Sequence, residues 1–134
     1  MHPNQAHVLI IEDNASNLMI INDLLRLAGV QHIYSRAMGW QGLKLAQTLE
    51  RVDLILLDIQ IPYEDGYAIL KQIRALPALK DSPVVAVTAN INPEDEARAR
   101  AAGFDGFIGK PINFQRFPEQ IRALLQGEAV WSPD

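Results

Sequence analysis

The sequence predicts an α/β fold in which a parallel sheet is covered by helices on both faces. Short apolar runs alternate five times with segments of helical periodicity, the pattern of consecutive strand–helix units. One run, at residues 52–58, is apolar apart from its two aspartates, as expected for a strand buried on both faces of a sheet. Polar residues follow several runs directly, where open α/β sheets bind their ligands.

The composition fits one intracellular domain. The chain has 134 residues, of which 49% are hydrophobic, and we expect residues 1–134 to form a single domain with its core at about 7–126 and a short tail at 127–134. The net charge of −4 argues against binding to nucleic acid, and the absence of cysteine excludes disulfides and thiolate metal sites. With no signal-peptide pattern and no apolar run near the ~20 residues of a membrane helix, we expect a cytoplasmic monomer or weak homodimer.

The first half of the chain predicts three strands and three helices. The strands lie at residues 7–11, 31–35 and 53–58, and the helices at residues 16–28, 39–50 and 67–76. Gly29 ends the first helix and Pro77 the third. The apolar side of the second helix carries Trp40, Leu43, Ala46 and Leu49.

The second half predicts two more strand–helix units. The strands lie at residues 83–88 and 106–109. Asn92 suits an N-cap and Pro93 a first helical residue, so we expect a helix that begins there and ends at Gly103. A last helix should begin near Phe117, because a proline at position 118 is tolerated only in a first turn, and continue to about residue 126.

Strict alternation and right-handed crossovers leave few topologies for five strands. They fit a flavodoxin-like (βα)5 three-layer sandwich with a parallel five-stranded sheet of order 2-1-3-4-5, whose ligands bind at the carboxyl ends of the strands. The residues at those ends are Glu12, Asp13, Asp58, Thr88, Lys110 and Pro111. They supply acids for a cation, a nucleophile, a hydroxyl and an ammonium, which together suit the phosphorylation of a carboxylate.

The motifs around these residues resemble those of a known family. They read Ile11-Glu12-Asp13-Asn14, Leu57-Asp58-Ile59-Gln60-Ile61-Pro62 with Asp65-Gly66, Val87-Thr88-Ala89 and Gly109-Lys110-Pro111. In this order and at these strand ends they resemble the receiver domain of two-component response regulators, the CheY-like family, over residues 7–126. The resemblance implies a stand-alone signalling switch that is phosphorylated in a phosphorelay.

The family's roles transfer to matching positions. The resemblance implies that Asp58 accepts a phosphoryl group from a sensor histidine kinase or a histidine phosphotransfer protein, and that the domain dephosphorylates itself slowly. It also implies Mg²⁺ or Mn²⁺ held by Asp13, Asp58 and the backbone carbonyl of Gln60, with Glu12 acting through a water. Three carboxylates that converge without a cation repel one another, so we expect one pKa to rise.

The resemblance also implies a switch. Thr88 and Lys110 would contact phosphoryl oxygens, and the Lys110–Pro111 peptide should be cis. Phe107 would turn inward when Thr88 moves toward the phosphate, which would change the surface of the fourth helix, fifth strand and last helix. A static core aromatic is the alternative for Phe107.

Two pairs of residues carry further expectations. The resemblance implies that Gln60 and Asn90, two residues beyond Asp58 and Thr88, flank the path of the hydrolytic water, and as neutral amides they would tune hydrolysis of the phosphoryl group. Leu18 and Met19 on the first helix would contact the phosphodonor, although scattered surface hydrophobics are the alternative. The downstream protein partner is not identified by the sequence.

Outside the motifs the expectations are structural. Glu64 should face water, although added charge near the metal is the alternative. The three histidines are scattered and form no metal-ligand spacing. The tail, with Trp131, should be mobile unless it packs on the last helix.

Three other classes compete with this interpretation. A haloacid-dehalogenase-type phosphatase also forms an aspartyl phosphate, but it usually carries an acid two residues after the nucleophile, where this chain has Gln60. A pseudo-receiver that only binds a partner would not need the full set of acids, hydroxyl and ammonium. A flavodoxin would need a Ser/Thr-rich phosphate loop after the first strand, which is missing.

Overall fold

The computed structural model describes residues 1–89 and 91–132. The strands are β1 (His7–Ile11), β2 (His32–Arg36), β3 (Leu54–Asp58), β4 (Val84–Thr88), β5 (Gly106–Gly109) and β6 (Val130–Ser132). The helices are α1 (Ala15–Leu27), α2 (Gly39–Ala46), α3 (Gly66–Ala75), α4 (Pro93–Ala102) and α5 (Phe117–Leu125). Most boundaries fall within one or two residues of the prediction.

The strands form one parallel sheet of order β2-β1-β3-β4-β5-β6, so the predicted order of the first five is confirmed. All five residues of β3 are buried, as its near-continuous apolar sequence predicts. The sheet separates two hydrophobic clusters, one containing residues of α1 and α5 and the other residues of α2, α3 and α4. The fold is therefore the predicted three-layer sandwich.

Local signals fix several helix ends. Asn92 Oδ1 accepts a hydrogen bond from the backbone N–H of Asp95, and Gly103 ends α4 with a φ of 103°, so both predicted caps are confirmed. Asn14 caps α1 in the same way. In the described part of the chain, no helix has the length and apolar character that crossing a membrane requires.

The second helix differs from the prediction. It ends at Ala46, about one turn before the expected residue 50, and Trp40 is 57% exposed instead of packing with Leu43. The buried side is set by two glycines as well as by Leu43 and Ala46. A Cβ added at Gly42 would lie 2.8 Å from a methyl carbon of Ile11, so the glycine side of α2 packs closely against the sheet. Trp40 lies to one side of this contact.

The tail also differs from the prediction. Residues 130–132 are not a mobile end but a sixth strand, parallel to β5, with Trp131 opposite Phe107. Gly127, with a φ of 90°, turns the chain after α5. An uncovered β5 would present unpaired N–H and C=O groups at the sheet edge, and the short strand satisfies them.

Candidate functional site

Three carboxylates meet at the carboxyl end of the sheet. Glu12 and Asp13 follow β1, and Asp58 ends the neighbouring strand β3. Each offers an oxygen, and these oxygens lie within 4.8 Å of one another. Glu12 is 2% and Asp58 4% exposed, whereas Asp13 is open to solvent. The parallel order of the strands thus brings the predicted acids together, in a pocket with one open side.

Lys110 completes this cluster from the end of β5. Its Nζ lies 2.8 Å from Glu12 Oε1 and 3.1 Å from Asp58 Oδ2. Its backbone N–H donates to the carbonyl oxygen of Thr88, 2.8 Å away, which continues the pairing of β4 with β5. The Lys110–Pro111 peptide bond is cis, as the resemblance to the receiver family predicts.

The charges in the pocket are unbalanced. Burial, and then the hydrogen bond to Asp58, raise the pKa of Glu12 to about 7, against the opposing effects of Lys110 and the backbone N–H of Asn14. Burial by itself lowers the pKa of Lys110, but the hydrogen bond to Glu12 and the charge of Asp58 outweigh it, so this pKa is raised. The expectation that one carboxyl pKa rises is confirmed at Glu12.

The donor set fits a hard divalent cation. Glu12 Oε1 is buried, and the Lys110 ammonium lies 2.8 Å from it as an ion pair. Three carboxylates against one ammonium leave net negative charge, and all their ligand atoms are oxygens. Mg²⁺ prefers oxygen ligands and binds through one or two carboxylates and waters, so these residues suit it.

The loop after β3 is bound to the pocket through Gln60. Its backbone N–H donates to Asp58 Oδ1 at 2.8 Å, and its side-chain oxygen accepts from the backbone N–H of Ala89 at 3.1 Å. These two bonds connect the ends of β3 and β4 beside the acids. Asn90, the other residue expected to tune hydrolysis, lies outside the described residues.

Thr88 and Phe107 lie next to this pocket. Thr88 ends β4 and is fully buried, with Gly109 of β5 as its register partner. Phe107 is also fully buried, opposite Ala86, and belongs to the cluster that contains α2, α3 and α4. Phe107 therefore has the inward position in this structure.

The structure separates the two predicted docking residues. Met19 is 64% exposed, whereas Leu18 is half-buried against the cluster that contains α1 and α5. Three exposed apolar residues that sequence reasoning missed lie in the loops after β3, β4 and β5, namely Tyr63, Ile91 and Phe114. The sequence signal for such residues is an apolar residue in a loop that directly follows one of these strands.

Comparison with known proteins identifies the family. The family model of the response regulator receiver domain matches residues 8–122. The polar-differentiation response regulator DivK of Brucella anthropi is 40% identical over 118 residues, which cover 88% of this chain and 94% of that protein. This chain belongs to the response regulator receiver domain family. It is therefore a receiver domain of two-component signalling.

Solved structures agree with this assignment. The chemotaxis response regulator CheY4 of Vibrio cholerae superimposes with a TM-score of 0.76 at 30% identity, covering 91% of this receiver domain and 97% of that chain. The receiver domain of the sensor histidine kinase PA1611 of Pseudomonas aeruginosa gives the same TM-score and identity, with 91% and 95% coverage, and has a magnesium ion in its active site cleft. Receiver domains bind Mg²⁺ at an acidic site, and this chain has an acidic cluster of Glu12, Asp13 and Asp58.

Glu64 has a different role in this receiver domain from the one expected. It does not face water: its two carboxylate oxygens accept hydrogen bonds from the backbone N–H groups of Gly39, at 2.5 Å, and Trp40, at 3.0 Å. The N-cap residue of α2, Met38, has no side-chain acceptor, so the free N–H groups at this positive helix end need one from elsewhere. The acceptor comes from a distant loop, which local sequence patterns do not reveal.

Two histidines that are far apart in the sequence meet at the opposite, amino end of the sheet. His7 and His32 are register partners on β1 and β2, and their rings stack with centroids 4.3 Å apart. His7 Nδ1 also lies 3.0 Å from the hydroxyl oxygen of Tyr34. Among the described residues this pair joins no third metal-ligating side chain, so it is a packing feature of the receiver domain.

Proposed function

We propose that Asp58 of this receiver domain accepts a phosphoryl group from a phosphohistidine, and that the fold responds to this charge. The observation that carries the proposal is the shared pocket: the Lys110 ammonium lies 3.1 Å from Asp58 Oδ2 and 2.8 Å from Glu12 Oε1, beside Asp13. Phosphoryl transfer needs alignment and charge stabilisation more than covalent work by the protein, and this pocket offers both.

The backbone and Lys110 orient the nucleophile. The N–H of Gln60 holds Asp58 Oδ1 and the ammonium holds Oδ2, so the carboxylate plane is fixed before a donor arrives. An oxygen of Asp58 forms a bond to phosphorus while the bond from phosphorus to the imidazole nitrogen breaks. The electron pair of that bond stays on the leaving imidazole, and the product is an acyl phosphate. Thr88 and Lys110 then contact oxygens of the bound phosphoryl group.

The acids supply a cation site for the same step. Asp13, Asp58 and the backbone carbonyl of Gln60 would hold Mg²⁺ or Mn²⁺ directly, and Glu12 through a water; the convergence of three carboxylates on one ammonium supports this assignment. A bound divalent cation neutralises the negative charge of the transferring group. Burial, and then the hydrogen bond to Asp58, raise the pKa of Glu12 to about 7, and a bound cation would oppose this rise, so Glu12 would lose its proton when the site is loaded.

The donor is a sensor histidine kinase or a histidine phosphotransfer protein. Met19, Tyr63 and Phe114 are exposed around the open side of the pocket, on α1 and the loops after β3 and β5, and they supply the apolar contact that a docking helix needs. Tyr63 is fully exposed with a φ of 66°, a conformation unusual for a large residue. Leu18, the residue before Met19, packs against the cluster that contains α1 and α5.

The output is a conformational change that ends by slow hydrolysis. We place residues 1–134 in one cytoplasmic domain, a monomer or weak homodimer, in which Thr88 responds to the state of Asp58 and passes the change to α4, β5 and α5 across the buried ring of Phe107. The continuous six-stranded sheet supports one domain. Gln60 and Asn90, as neutral amides, would orient water without taking its proton and would so tune the lifetime of the phosphoryl group.

Incubation with Mg²⁺ and phosphoramidate, followed by intact-mass measurement, tests the proposal. We expect the mass of one phosphoryl group to be added, and Asp58→Asn to abolish it. Asp81→Asn is the matched control, because Asp81 is exposed at the opposite end of the sheet, and it should be phosphorylated normally. Unmodified wild-type protein, or full phosphorylation of Asp58→Asn, would reject Asp58 as the acceptor.

A further inference from the structure

The sixth strand occupies the edge of the sheet next to Phe107. In the register of β5 with β6, Val130 lies opposite Gly106, Trp131 opposite Phe107 and Ser132 opposite Ile108. Residues at paired positions of parallel strands point to the same face, so the side chains of Trp131 and Phe107 are neighbours. Trp131 is partly buried against the cluster that includes Phe107.

The edge of β5 is shaped to receive this strand. A Cβ added at Gly106 would lie 2.7 Å from the carbonyl oxygen of Val130, a distance at which the two strands would have to move apart. Glycine at this position therefore permits the observed approach of β6. A cavity of about 250 Å³ lies beside the strand and is lined by Trp131 as well as by Phe104, Leu124 and residues 127–129.

Trp131 is fixed in position from the helix side. The guanidinium carbon of Arg100 on α4 lies 4.1 Å from the centroid of the indole ring, within the range of a cation–π contact. Arg100 is itself held by Glu96, one turn earlier on α4, at 3.3 Å. The indole is thus held between β5 and α4, on the outer side of Phe107.

Phe107 consequently has neighbours on both sides along its row of the sheet. Its register partner on β4 is Ala86, whose methyl group leaves room toward the centre, and its partner on β6 is Trp131. Positions 107 and 109 of β5 point to the same face of the sheet as Thr88. Position 109 is a glycine, so Phe107 is the β5 side chain on that face. A Phe107 ring that turned toward the sheet edge would approach the indole, because Trp131 is its register partner on β6.

We propose that β6 is a clamp in which Trp131 closes the outward side of Phe107 and holds that ring in its buried position. Trp131 is thus a positioning residue for the phosphoacceptor pocket, through Phe107 and Thr88. The part of this inference that concerns phosphorylation rests on the proposed function of Asp58. The clamp makes the inward position of Phe107 the resting state of the protein, instead of one of two freely exchanging positions.

A fluorine label at Phe107 tests the clamp directly. With 4-fluorophenylalanine at position 107, the wild-type chain should give one narrow ¹⁹F resonance that beryllofluoride and Mg²⁺ barely shift. Trp131→Ala should shift and broaden this resonance, and beryllofluoride with Mg²⁺ should return it toward the wild-type position. A chain shortened after Glu128, which lacks β6 altogether, should behave in the same way, and Trp131→Phe should restore most of the narrow signal.

The other tryptophan provides the control. Trp40 is 57% exposed on α2, away from β6, so Trp40→Ala should leave the resonance at position 107 unchanged. Wild-type spectra from both Trp131→Ala and the shortened chain would overturn the clamp. That measurement without beryllofluoride does not depend on phosphorylation, so the clamp and the proposed function can fail separately.

A rate measurement tests the link to the pocket. If Trp131 keeps Phe107 in the position that the phosphorylated state needs, its removal lowers the fraction of competent molecules. The initial rate of phosphorylation by phosphoramidate should then fall roughly 2- to 5-fold in Trp131→Ala, the factor expected from one partly exposed cation–π contact. A changed ¹⁹F spectrum with an unchanged rate would overturn the link, while a wild-type chain that takes no phosphoryl group would overturn the proposed function.

Discussion

Asp53 and Asp58 lie five positions apart at the two ends of the same strand run, and their surroundings are opposite. At the amino end, Asp53 accepts a hydrogen bond from the backbone N–H of His7 at 2.8 Å and meets the guanidinium of Arg51 at 2.8 Å. At the carboxyl end, Asp58 is buried beside Glu12 and Asp13, with one lysine to balance them. The first carboxylate is paired by its neighbours, whereas the second is one of three that repel.

The same contrast extends to other polar groups of the amino end. Asp105 Oδ2 accepts from the backbone N–H of Val84 at 2.8 Å and from Arg74 at 2.7 Å. The hydroxyl of Ser82 donates to the carbonyl oxygen of Val52 at 2.7 Å. These hydrogen bonds hold the loops against the amino ends of the strands. These three polar residues of the amino end are satisfied by the protein itself, so they leave nothing for a ligand to complete.

At the carboxyl end the protein does not neutralise all of the carboxylates, which leaves negative charge for a ligand to neutralise. A pKa near 7 at Glu12 and the convergence of three carboxylates on one ammonium are costs that folding alone does not explain. A bound cation would relieve them. The two ends of the sheet thus differ in how much negative charge the protein leaves without a partner.

Removing the one balancing charge should produce the largest effect. In Lys110→Met, the phosphorylation rate with phosphoramidate should fall roughly 100-fold, as it does when a buried donor to a developing charge is lost. The fall arises because the ammonium both orients Asp58 and would contact the transferred group. Initial rates measured by intact mass check the prediction.

Lys44→Met is the matched control, because Lys44 is exposed on α2 and its loss should leave the rate unchanged. A decrease of less than about threefold in Lys110→Met would show that Lys110 contributes little to transfer. The lysine would then be a structural counter-ion, and the two ends of the sheet would be more alike than their geometry indicates.

The pKa of Glu12 predicts a pH dependence of intermediate size. Its folded-state pKa of about 7 lies above the ordinary value of 4.5, so the metal-free fold is favoured by protonation. The stabilisation is fully present below about pH 4.5 and is lost as the pH rises through 7. We therefore expect the Tm of the metal-free protein to fall between about pH 5 and pH 8, and Mg²⁺ affinity to rise by up to about tenfold per pH unit below 7.

Glu12→Gln removes the titrating group and should flatten both profiles while the fold is retained. Thermal unfolding in chelator and Mg²⁺ titrations at several pH values provide the measurements. An equally steep loss of Tm in Glu12→Gln would assign the pH dependence to another group. The repulsion at the carboxyl end would then not be centred on Glu12.

A third prediction addresses the amino end. Asp53→Asn should lower the free energy of unfolding by about 1 kcal/mol, because a charged acceptor for the His7 N–H becomes neutral. Phosphorylation of Asp58 should proceed at the wild-type rate. Urea unfolding and intact mass test the two halves of this prediction, and a lost phosphorylation with intact stability would contradict the division between the ends.

The sequence predicts the carboxyl-end site well because that site depends on strand order. Alternating strands and helices determine which strand ends are neighbours, so Asp13, Asp58 and Lys110 were expected to meet, and they do. The pKa rise at Glu12 follows from the same reasoning. Periodicity and caps likewise fix most boundaries of the fold, such as α4 between Asn92 and Gly103.

What the sequence does not predict depends on contacts between distant segments. The strand at Val130–Ser132 forms because β5 has an open edge and Gly106 lets it approach, and neither fact is visible in a three-residue segment. His7 and His32 are brought together only by strand register. The exposure of Trp40 follows from the close approach of α2 to the sheet.

Glu64 sharpens the comparison, because it is a carboxylate near the carboxyl end that is fully paired. Both its oxygens accept N–H groups at the start of α2, so by the argument above it should stabilise the fold and take no part in phosphorylation. Glu64→Ala should cost about 1 kcal/mol of unfolding free energy, as for a lost N-cap, and Glu64→Gln, which keeps one acceptor oxygen, about half of that. Urea unfolding of the three proteins measures these differences, and their phosphorylation rates should be equal. A slower rate in Glu64→Gln with unchanged stability would mean that position along the sheet, and not the pairing of the carboxylate, decides which acids take part in the chemistry.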